Sequence, residues 1–95
     1  MHIKVTYLGL LRNKVGKREE QYEIEDGSSL SHLLRCLSEA YGESLGNILG
    51  AKAESKLDPT FIVTVNGLLK DAFHGDDVKL KDGDTVALMT LISGG

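Results

Sequence analysis

The chain has 95 residues, 41% of them hydrophobic, and a formal net charge of -3 from 14 acidic and 11 basic residues. This size fits one small domain near the lower limit for an unaided hydrophobic core, with little room for a deep catalytic cleft. The basic residues are scattered from Lys4 to Lys81. Nucleic acid is therefore excluded as an expected partner, because phosphate backbones are bound by concentrated basic faces.

Cysteine content and apolar patterning indicate the cellular setting. Cys36 is the single cysteine and has no partner for an internal disulfide. No apolar stretch approaches the roughly 20 residues that a membrane-spanning helix needs. The first residues, Met1 to Val5, enter a strand pattern without the charged and apolar regions of a signal peptide. We expect a cytoplasmic protein with no membrane partner.

Two strands are predicted at the start of the chain. Residues 2–10 alternate apolar and polar side chains, which predicts a strand with one face on the core. Residues 12–17 are polar and contain a glycine, which suits a hairpin-like connection. A second strand is predicted over residues 18–25, with Tyr22 and Ile24 facing inward.

The main helix is predicted next. Residues 26–29 read Asp-Gly-Ser-Ser and supply a turn followed by a helix N-cap. Gly42 is well placed to end the helix. An apolar stripe at helical spacing should lie across the sheet; its members are Leu30, Leu33, Leu34, Leu37 and Tyr41.

The middle of the chain is less regular. Residues 43–49 are predicted to form a short second helix, and the polar residues 50–59 a loop. A third strand follows, in which Phe61, Val63 and Val65 alternate with Ile62 and Thr64. Asn66-Gly67 is a strong signal for a tight hairpin turn. Within residues 68–77 only a short strand at Leu68 and Leu69 is indicated.

The last strand is predicted over residues 85–92, after a turn at residues 79–84. It carries apolar side chains on both faces, which is typical of a strand in the centre of a sheet. One face holds Val86, Leu88 and Ile92, and the other holds Ala87, Met89 and Leu91. A central last strand would hold the end of the chain firmly to the fold.

The element order is strand, strand, helix, then strands. A ferredoxin-like split βαβ fold needs a second full helix between its last two strands, and residues 66–84 show none. The expected fold is therefore α+β and β-grasp, a mixed sheet crossed by one main helix with a short second helix. Residues 1–95 would form one domain with a diglycine tail at residues 93–95.

The residues between the two ends of the chain show no pattern that is typical of a catalytic or metal site. None of the histidines stands in an evident metal-ligand spacing with Cys36, which we interpret as a bystander thiol. The aspartates near His74 fit a turn better than a cation site. We expect no bound metal and no catalytic site of the chain's own. The histidines are His2, His32 and His74, and the aspartates are Asp71, Asp76 and Asp77.

The carboxyl terminus carries the strongest signal. Ser93-Gly94-Gly95 follows almost directly on the last predicted strand. Two closing glycines occur by chance in roughly one chain in two hundred, so the preceding strand is what makes them informative. Without Cβ atoms, the glycines would let an exposed carboxylate enter a narrow cleft in another protein. We predict that the Gly95 carboxylate is the functional group and that Gly94 provides clearance.

Three features together resemble the ubiquitin-like sulfur carriers. They are the strand-turn-strand-helix start, the turn Lys81-Asp82-Gly83-Asp84-Thr85-Val86, and the terminal Gly94-Gly95. Within that family the chain is most similar to the small subunits of molybdopterin synthase, with the thiamine-pathway sulfur carriers as shorter relatives. The resemblance covers nearly the whole chain.

The resemblance implies a function through the terminus. An ATP-dependent activating enzyme would adenylate Gly95, and sulfur transfer would leave a thiocarboxylate there. A molybdopterin synthase large subunit would accept the tail, and the sulfur would enter molybdenum or tungsten cofactor biosynthesis. The chain itself would be no enzyme and would bind no cofactor, since the partner uses the ATP. Met89, Leu91, Ile92 and Ser93 are the predicted partner-binding residues.

Other functions of the terminus stay open. The same acyl group, if passed to lysines of other proteins, would make the chain a ubiquitin-like modifier. A sulfur carrier of thiamine biosynthesis is a further alternative, because the carrier chemistry needs only the free diglycine terminus. A non-covalent interaction domain that merely ends in glycine is the third.

Overall fold

The computed structural model describes residues 1–41 and 61–90. The elements of the described ranges, in chain order, are β1 His2–Gly9, α1 Leu10–Val15, β2 Glu19–Glu23, α2 Leu30–Tyr41, β3 Phe61–Val65, β4 Leu68–Lys70, a 3₁₀ helix Ala72–Asp77, and β5 Thr85–Thr90. None of the helices in the described ranges combines the length and the hydrophobicity that a membrane-spanning helix requires. The predicted second helix at 43–49, the loop at 50–59 and the predicted helix end at Gly42 lie outside the described residues.

One mixed sheet contains all five of these strands, in the order β2-β1-β5-β3-β4. β5 runs parallel to β1 and antiparallel to β3. The remaining pairs, β1 with β2 and β3 with β4, are antiparallel. The prediction that the last strand is central is confirmed. The α+β, β-grasp prediction is confirmed as well.

The core lies between the sheet and α2. Val86 and Leu88 of β5 are fully buried, as are alternate residues of β1. The leucines of the predicted stripe on α2 are buried against them, because their helical spacing puts them on one face. The buried residues of β1 and α2 are Ile3, Val5, Tyr7, Leu30, Leu33, Leu34 and Leu37.

The connection between β1 and β2 differs from the prediction. It holds the short helix α1 rather than a simple hairpin-like turn. Leu11 and Val15 are four residues apart and share a helix face, and Leu11 is fully buried in the core. Gly16 ends the helix in the left-handed conformation, at φ 81°, and its N–H donates to the carbonyl of Arg12 at 2.8 Å. Burial of one leucine outweighs the polar character of this segment.

Local signals elsewhere are confirmed. Ser29 caps α2, because its hydroxyl accepts a hydrogen bond from the His32 N–H at 3.2 Å. Asn66 and Gly67 both have positive φ, 53° and 83°, as a type I′ hairpin turn requires. The short strand expected at Leu68 and Leu69 is β4, whereas the 3₁₀ helix that follows it was not predicted.

A tyrosine cluster ties the last turn of α2 to β1 and β2. The Tyr7 hydroxyl donates to Glu20 Oε2 at 2.6 Å, and the Tyr41 hydroxyl donates to the same oxygen. Lys17 Nζ lies 3.4 Å from Glu20 Oε1. The rings of Tyr7 and Tyr41 meet edge to face with centroids 6.3 Å apart. One half-buried carboxylate thus joins three elements.

In this cluster the pKa of the carboxyl group is lowered, whereas the pKa values of the tyrosines are raised. Burial disfavours the charged form of Glu20, but the hydrogen bonds from Tyr41 and Tyr7 outweigh it and lower the pKa of this carboxyl. Burial, reinforced by the Glu20 carboxylate, raises the pKa of Tyr7 and of Tyr41. Burial and the negative charge of Glu20 raise the pKa of Tyr22 to about 12.

Candidate functional site

The end of β5 is the point from which the carboxyl-terminal segment departs. Thr90 is paired with Gly9 of β1 on one side and with Phe61 of β3 on the other. Residues 91–95 follow, so the Gly95 carboxylate is five residues beyond a strand held on both sides. The predicted site residues Leu91, Ile92, Ser93, Gly94 and Gly95 lie outside the described residues, and their roles stay predictions.

The start of β5 is anchored by a polar network around Asp84. One oxygen of this buried carboxylate accepts from Asn66 Nδ2 at 2.9 Å, and the other accepts from the Lys81 N–H at 2.8 Å. The Asn66 side-chain oxygen in turn accepts from the Thr85 N–H at 2.9 Å. The network locks the turn before β5 to the hairpin turn after β3. The sequence indicated Asn66 only as a turn residue.

Replacing Asp84 should loosen this anchor. We expect Asp84→Ala to lower the free energy of unfolding by about 1–3 kcal/mol, because it leaves the Asn66 amide and the Lys81 N–H without their acceptor. Urea unfolding followed by circular dichroism measures the change. Asp76→Ala is the control, since Asp76 is exposed and its loss should stay within about 0.5 kcal/mol. Equal effects from the two variants would contradict the anchoring role.

The sheet face opposite α2 carries a second feature beside the departure point. Leu8 pairs with Met89 across β1 and β5, and Met89 pairs with Ile62 across β5 and β3. Their neighbours along each strand, Tyr7, Leu88 and Val63, are core residues, so the three side chains lie on the opposite face. All three are half-buried. We call Leu8, Met89 and Ile62 the apolar row.

Met89 is the predicted partner-binding residue that falls within the described residues. It lies in the middle of the apolar row, one residue before Thr90, which favours a docking role over packing in the core beneath α2. Its role in binding stays a prediction. Leu8 and Ile62 were missed as site residues, because only strand register places them beside Met89. Their one sequence signal is an apolar side chain at an outward-facing position.

Two of the histidines, His32 and His74, have a close polar partner in the structure. Cys36 Sγ lies 3.7 Å from His32 Nε2, four residues and one helical turn earlier on α2, so the prediction that no histidine is suitably spaced from Cys36 is wrong for this pair. His74 Nδ1 lies 2.7 Å from Asp71 Oδ2, and this hydrogen bond raises the pKa of the imidazole. Within residues 1–41 and 61–90, no three His, Cys, Asp or Glu side chains are grouped to hold a metal ion.

A mixed sheet with a central last strand, packed on one long helix, defines a β-grasp protein of the ubiquitin-like class. The model of the ThiS family matches residues 5–95, and the chain therefore belongs to the ThiS family. The resemblance to the ubiquitin-like sulfur carriers is confirmed. No curated protein matches the chain.

Solved structures share the fold over almost the whole chain. Urm1 from Trypanosoma brucei is 26% identical, with a TM-score of 0.76 over 99% of this chain and 95% of that one. The small archaeal modifier protein 1 from Methanosarcina acetivorans is 23% identical, with a TM-score of 0.73 over 99% and 96%. A chain in the complex of subunits 1 and 2 of the molybdopterin-converting factor from Helicobacter pylori is 24% identical, with a TM-score of 0.62 over 100% of this chain and 100% of that one.

Proposed function

We propose that this protein is a sulfur carrier acting as the small subunit of a molybdopterin synthase. Its Gly95 carboxylate would be adenylated and converted to a thiocarboxylate, which donates sulfur in molybdenum or tungsten cofactor biosynthesis. The observation that supports this most is β5, a central strand paired on both sides as far as Thr90, five residues before the terminal glycine. Family membership supports the carrier chemistry.

The chemistry explains why activation comes first. A carboxylate is a poor acyl donor because oxide would have to leave. When a carboxylate oxygen of Gly95 attacks the α-phosphorus of ATP, pyrophosphate departs and an acyl-adenylate forms. A sulfur nucleophile at the oxidation level of sulfide then adds to the carbonyl and expels AMP, which leaves the thiocarboxylate. Its sulfur is a soft nucleophile at neutral pH.

The body of the protein would contribute position rather than catalysis. Five residues beyond Thr90 reach at most about 18 Å, so an anchored strand end confines the reacting carbonyl to a small volume. Docking then converts sulfur delivery into an effectively intramolecular step. Gly94 and Gly95 have no Cβ atoms to obstruct a narrow channel.

Two protein partners follow from this proposal. An ATP-dependent activating enzyme would bind the nucleotide, so the carrier needs no cofactor of its own. A large subunit would receive the sulfur, and the complex of subunits 1 and 2 in the Helicobacter pylori relative supports that partner. We place the reaction in the cytoplasm, with neither nucleic acid nor membrane involved.

Mass spectrometry tests the proposal. The full chain is incubated with the activating enzyme from its own genome, ATP and sulfide, and the product should show one oxygen replaced by sulfur at Gly95. Omission of ATP should leave the mass unchanged. Addition of the large subunit with its pterin substrate should then restore the carboxylate. An unmodified chain, beside an enzyme that still consumes ATP on a known carrier, would refute the proposal.

Conjugation to proteins is the second candidate, because one structural relative is itself a small archaeal modifier. In that case lysine amines would attack the acyl-adenylate or a thioester derived from it. Immunoblots of cell extract would show high-molecular-weight conjugates that vanish when Gly94 and Gly95 are deleted. A thiamine-pathway carrier, which membership of the ThiS family also supports, would instead restore thiazole synthesis to a carrier-deficient strain.

A further inference from the structure

The face of α2 that points away from the sheet carries two metal-ligating side chains. His32 and Cys36 are four residues apart, so they lie on one face of the helix, one above the other. Cys36 Sγ and His32 Nε2 are 3.7 Å apart. His32 is exposed and Cys36 is half-buried, so an ion in solution can reach both. We call these two residues the His–Cys pair.

The separation of the two ligating atoms matches what one tetrahedral metal ion requires. Zn²⁺ binds a thiolate sulfur at about 2.3 Å and an imidazole nitrogen at about 2.0–2.1 Å. At a tetrahedral angle these bond lengths place the sulfur and the nitrogen about 3.6 Å apart. The observed 3.7 Å therefore lets both atoms bind one ion with little movement of either side chain.

The backbone beneath the His–Cys pair is fixed by the core. Leu33 and Leu37, which directly follow His32 and Cys36 in the sequence, are fully buried. The hydroxyl of Ser29 caps the helix at this point, because it accepts a hydrogen bond from the His32 N–H at 3.2 Å. Ligands on a rigid element lose little freedom when an ion binds, which favours binding.

The pair is available to an ion. Within residues 1–41 and 61–90, neither side chain has a polar partner other than its mate. When a metal–sulfur bond forms, the S–H bond of Cys36 breaks and its proton passes to the buffer. His32 binds through the lone pair of Nε2 and keeps its ring proton on Nδ1. No third His, Cys, Asp or Glu of the described residues joins the pair, so water fills the remaining positions of a tetrahedral ion.

We propose that His32 and Cys36 form a bidentate, solvent-open site for a thiophilic divalent cation such as Zn²⁺. A sulfur and a nitrogen donor select such ions over Mg²⁺ and Ca²⁺, which take oxygen ligands. The pair faces away from the sheet that contains β5, so an ion bound there is separate from the strand that leads to the terminus. The inference goes beyond the proposed function and does not depend on it.

Titration of the full chain with Cd²⁺, a spectroscopic substitute for Zn²⁺, tests the site. Cys36 is the single cysteine of the sequence, so a thiolate-to-metal charge-transfer band in the ultraviolet reports this one sulfur. We expect the band to saturate at one ion per chain and to disappear when Zn²⁺ competes. Deletion of Gly94 and Gly95 should leave the titration unchanged, which separates the site from the reacting terminus.

Variants of the pair distinguish chelation from a thiol that binds alone. Cys36→Ser should lack the band. His32→Gln keeps the thiol but removes the second ligand, and the Kd for Cd²⁺ should rise on the order of tenfold or more. His74→Gln is the matched control, because His74 is also exposed but contacts Asp71, and its Kd should equal that of the wild type. Equal Kd values for His32→Gln and the wild type would overturn the site.

Alkylation of the thiol gives a second readout on the folded protein. Saturating Zn²⁺ should slow modification of Cys36 by iodoacetamide, followed by mass spectrometry, and the same Zn²⁺ concentration should protect His32→Gln less. Absence of protection in the wild type would overturn the site. If Cys36→Ser has lost its cooperative thermal transition, wild-type protein alkylated at Cys36 replaces it in the Cd²⁺ titration.

Sedimentation tests whether the site is open to solvent. The chain should sediment as the same species with and without excess Zn²⁺, because water completes the coordination of the ion. A dimer that forms only when Zn²⁺ is present would assign the remaining positions to a second copy and overturn the solvent-open site.

Discussion

We expect deletion of Gly94 and Gly95 to abolish adenylation of the chain while its unfolding midpoint stays unchanged. Under the proposed function the group that reacts is the carboxylate of Gly95, and in the shortened chain the terminal carboxylate would belong to Ser93, two residues earlier in the sequence. The buried residues of the described core all lie at or before Leu88, so the deletion removes none of them. We expect the rate of carrier-dependent ATP–pyrophosphate exchange by the activating enzyme to fall at least 100-fold. This corresponds to an increase of roughly 2.7 kcal/mol or more in the activation free energy.

An extension and a neutral substitution complete this experiment. One alanine appended after Gly95 should be as harmful as the deletion, because it moves the carboxylate and adds a Cβ atom where clearance is needed. Glu39 is exposed on α2, and Glu39→Ala should leave the rate of ATP–pyrophosphate exchange unchanged. Full activity of the shortened chain would show that the terminus is not the reacting group and would favour a non-covalent interaction domain.

The tyrosine cluster predicts a marked loss of stability in alkali. All three tyrosines have a pKa that is raised in the folded protein, whereas in an unfolded chain tyrosine titrates near 10. The native state thus holds these protons more tightly than the unfolded state. Their contribution to stability is complete below about pH 10 and is lost as the pH rises through the folded pKa values.

Phenolate absorbance and near-ultraviolet circular dichroism, recorded together from pH 8 to 13, measure this effect. We expect little phenolate signal from the folded protein near pH 10 and a steep rise that coincides with unfolding. Tyr22, with its pKa raised to about 12, should ionise before Tyr7 if any tyrosine titrates in the folded state. Ordinary titration of every tyrosine near pH 10, with the fold intact, would contradict the cluster.

Glu20→Gln tests the tyrosine cluster most directly, because Glu20 is the acceptor for both tyrosine hydroxyls. It removes the charge that the hydroxyls of Tyr7 and Tyr41 contact, so phenolate should appear at a lower pH than in the wild type. Loss of hydrogen bonds to a charged acceptor should also cost about 1.5–3 kcal/mol at pH 7. Glu23→Gln, exposed on the same strand, should change neither quantity. On the acid side, the contribution of Glu20 is present above about pH 4.5 and is lost as the pH falls through its lowered folded pKa.

Short-range patterns in the sequence predicted much of the fold. Period-two alternation located β1, β3 and β5, helical spacing of leucines located α2, and Asn66-Gly67 located the hairpin turn. These signals are reliable because each depends on neighbours a few residues away. The same local reasoning gave a wrong prediction for the segment before β2. Its polar residues suggested a turn, while burial of Leu11 makes it a helix.

The sequence by itself determined that Gly94 and Gly95 follow shortly after a strand with apolar side chains on both faces. That pattern predicted a central strand, and β5 lies between β1 and β3, although the face that carries Met89 is only half-buried. The tertiary structure alone decided which side chains meet. Leu8, Ile62 and Met89 come from three distant parts of the chain, and strand register sets them in one row. Glu20 likewise meets Tyr41 only because the fold brings the last residue of α2 to β2, a contact that no local pattern encodes.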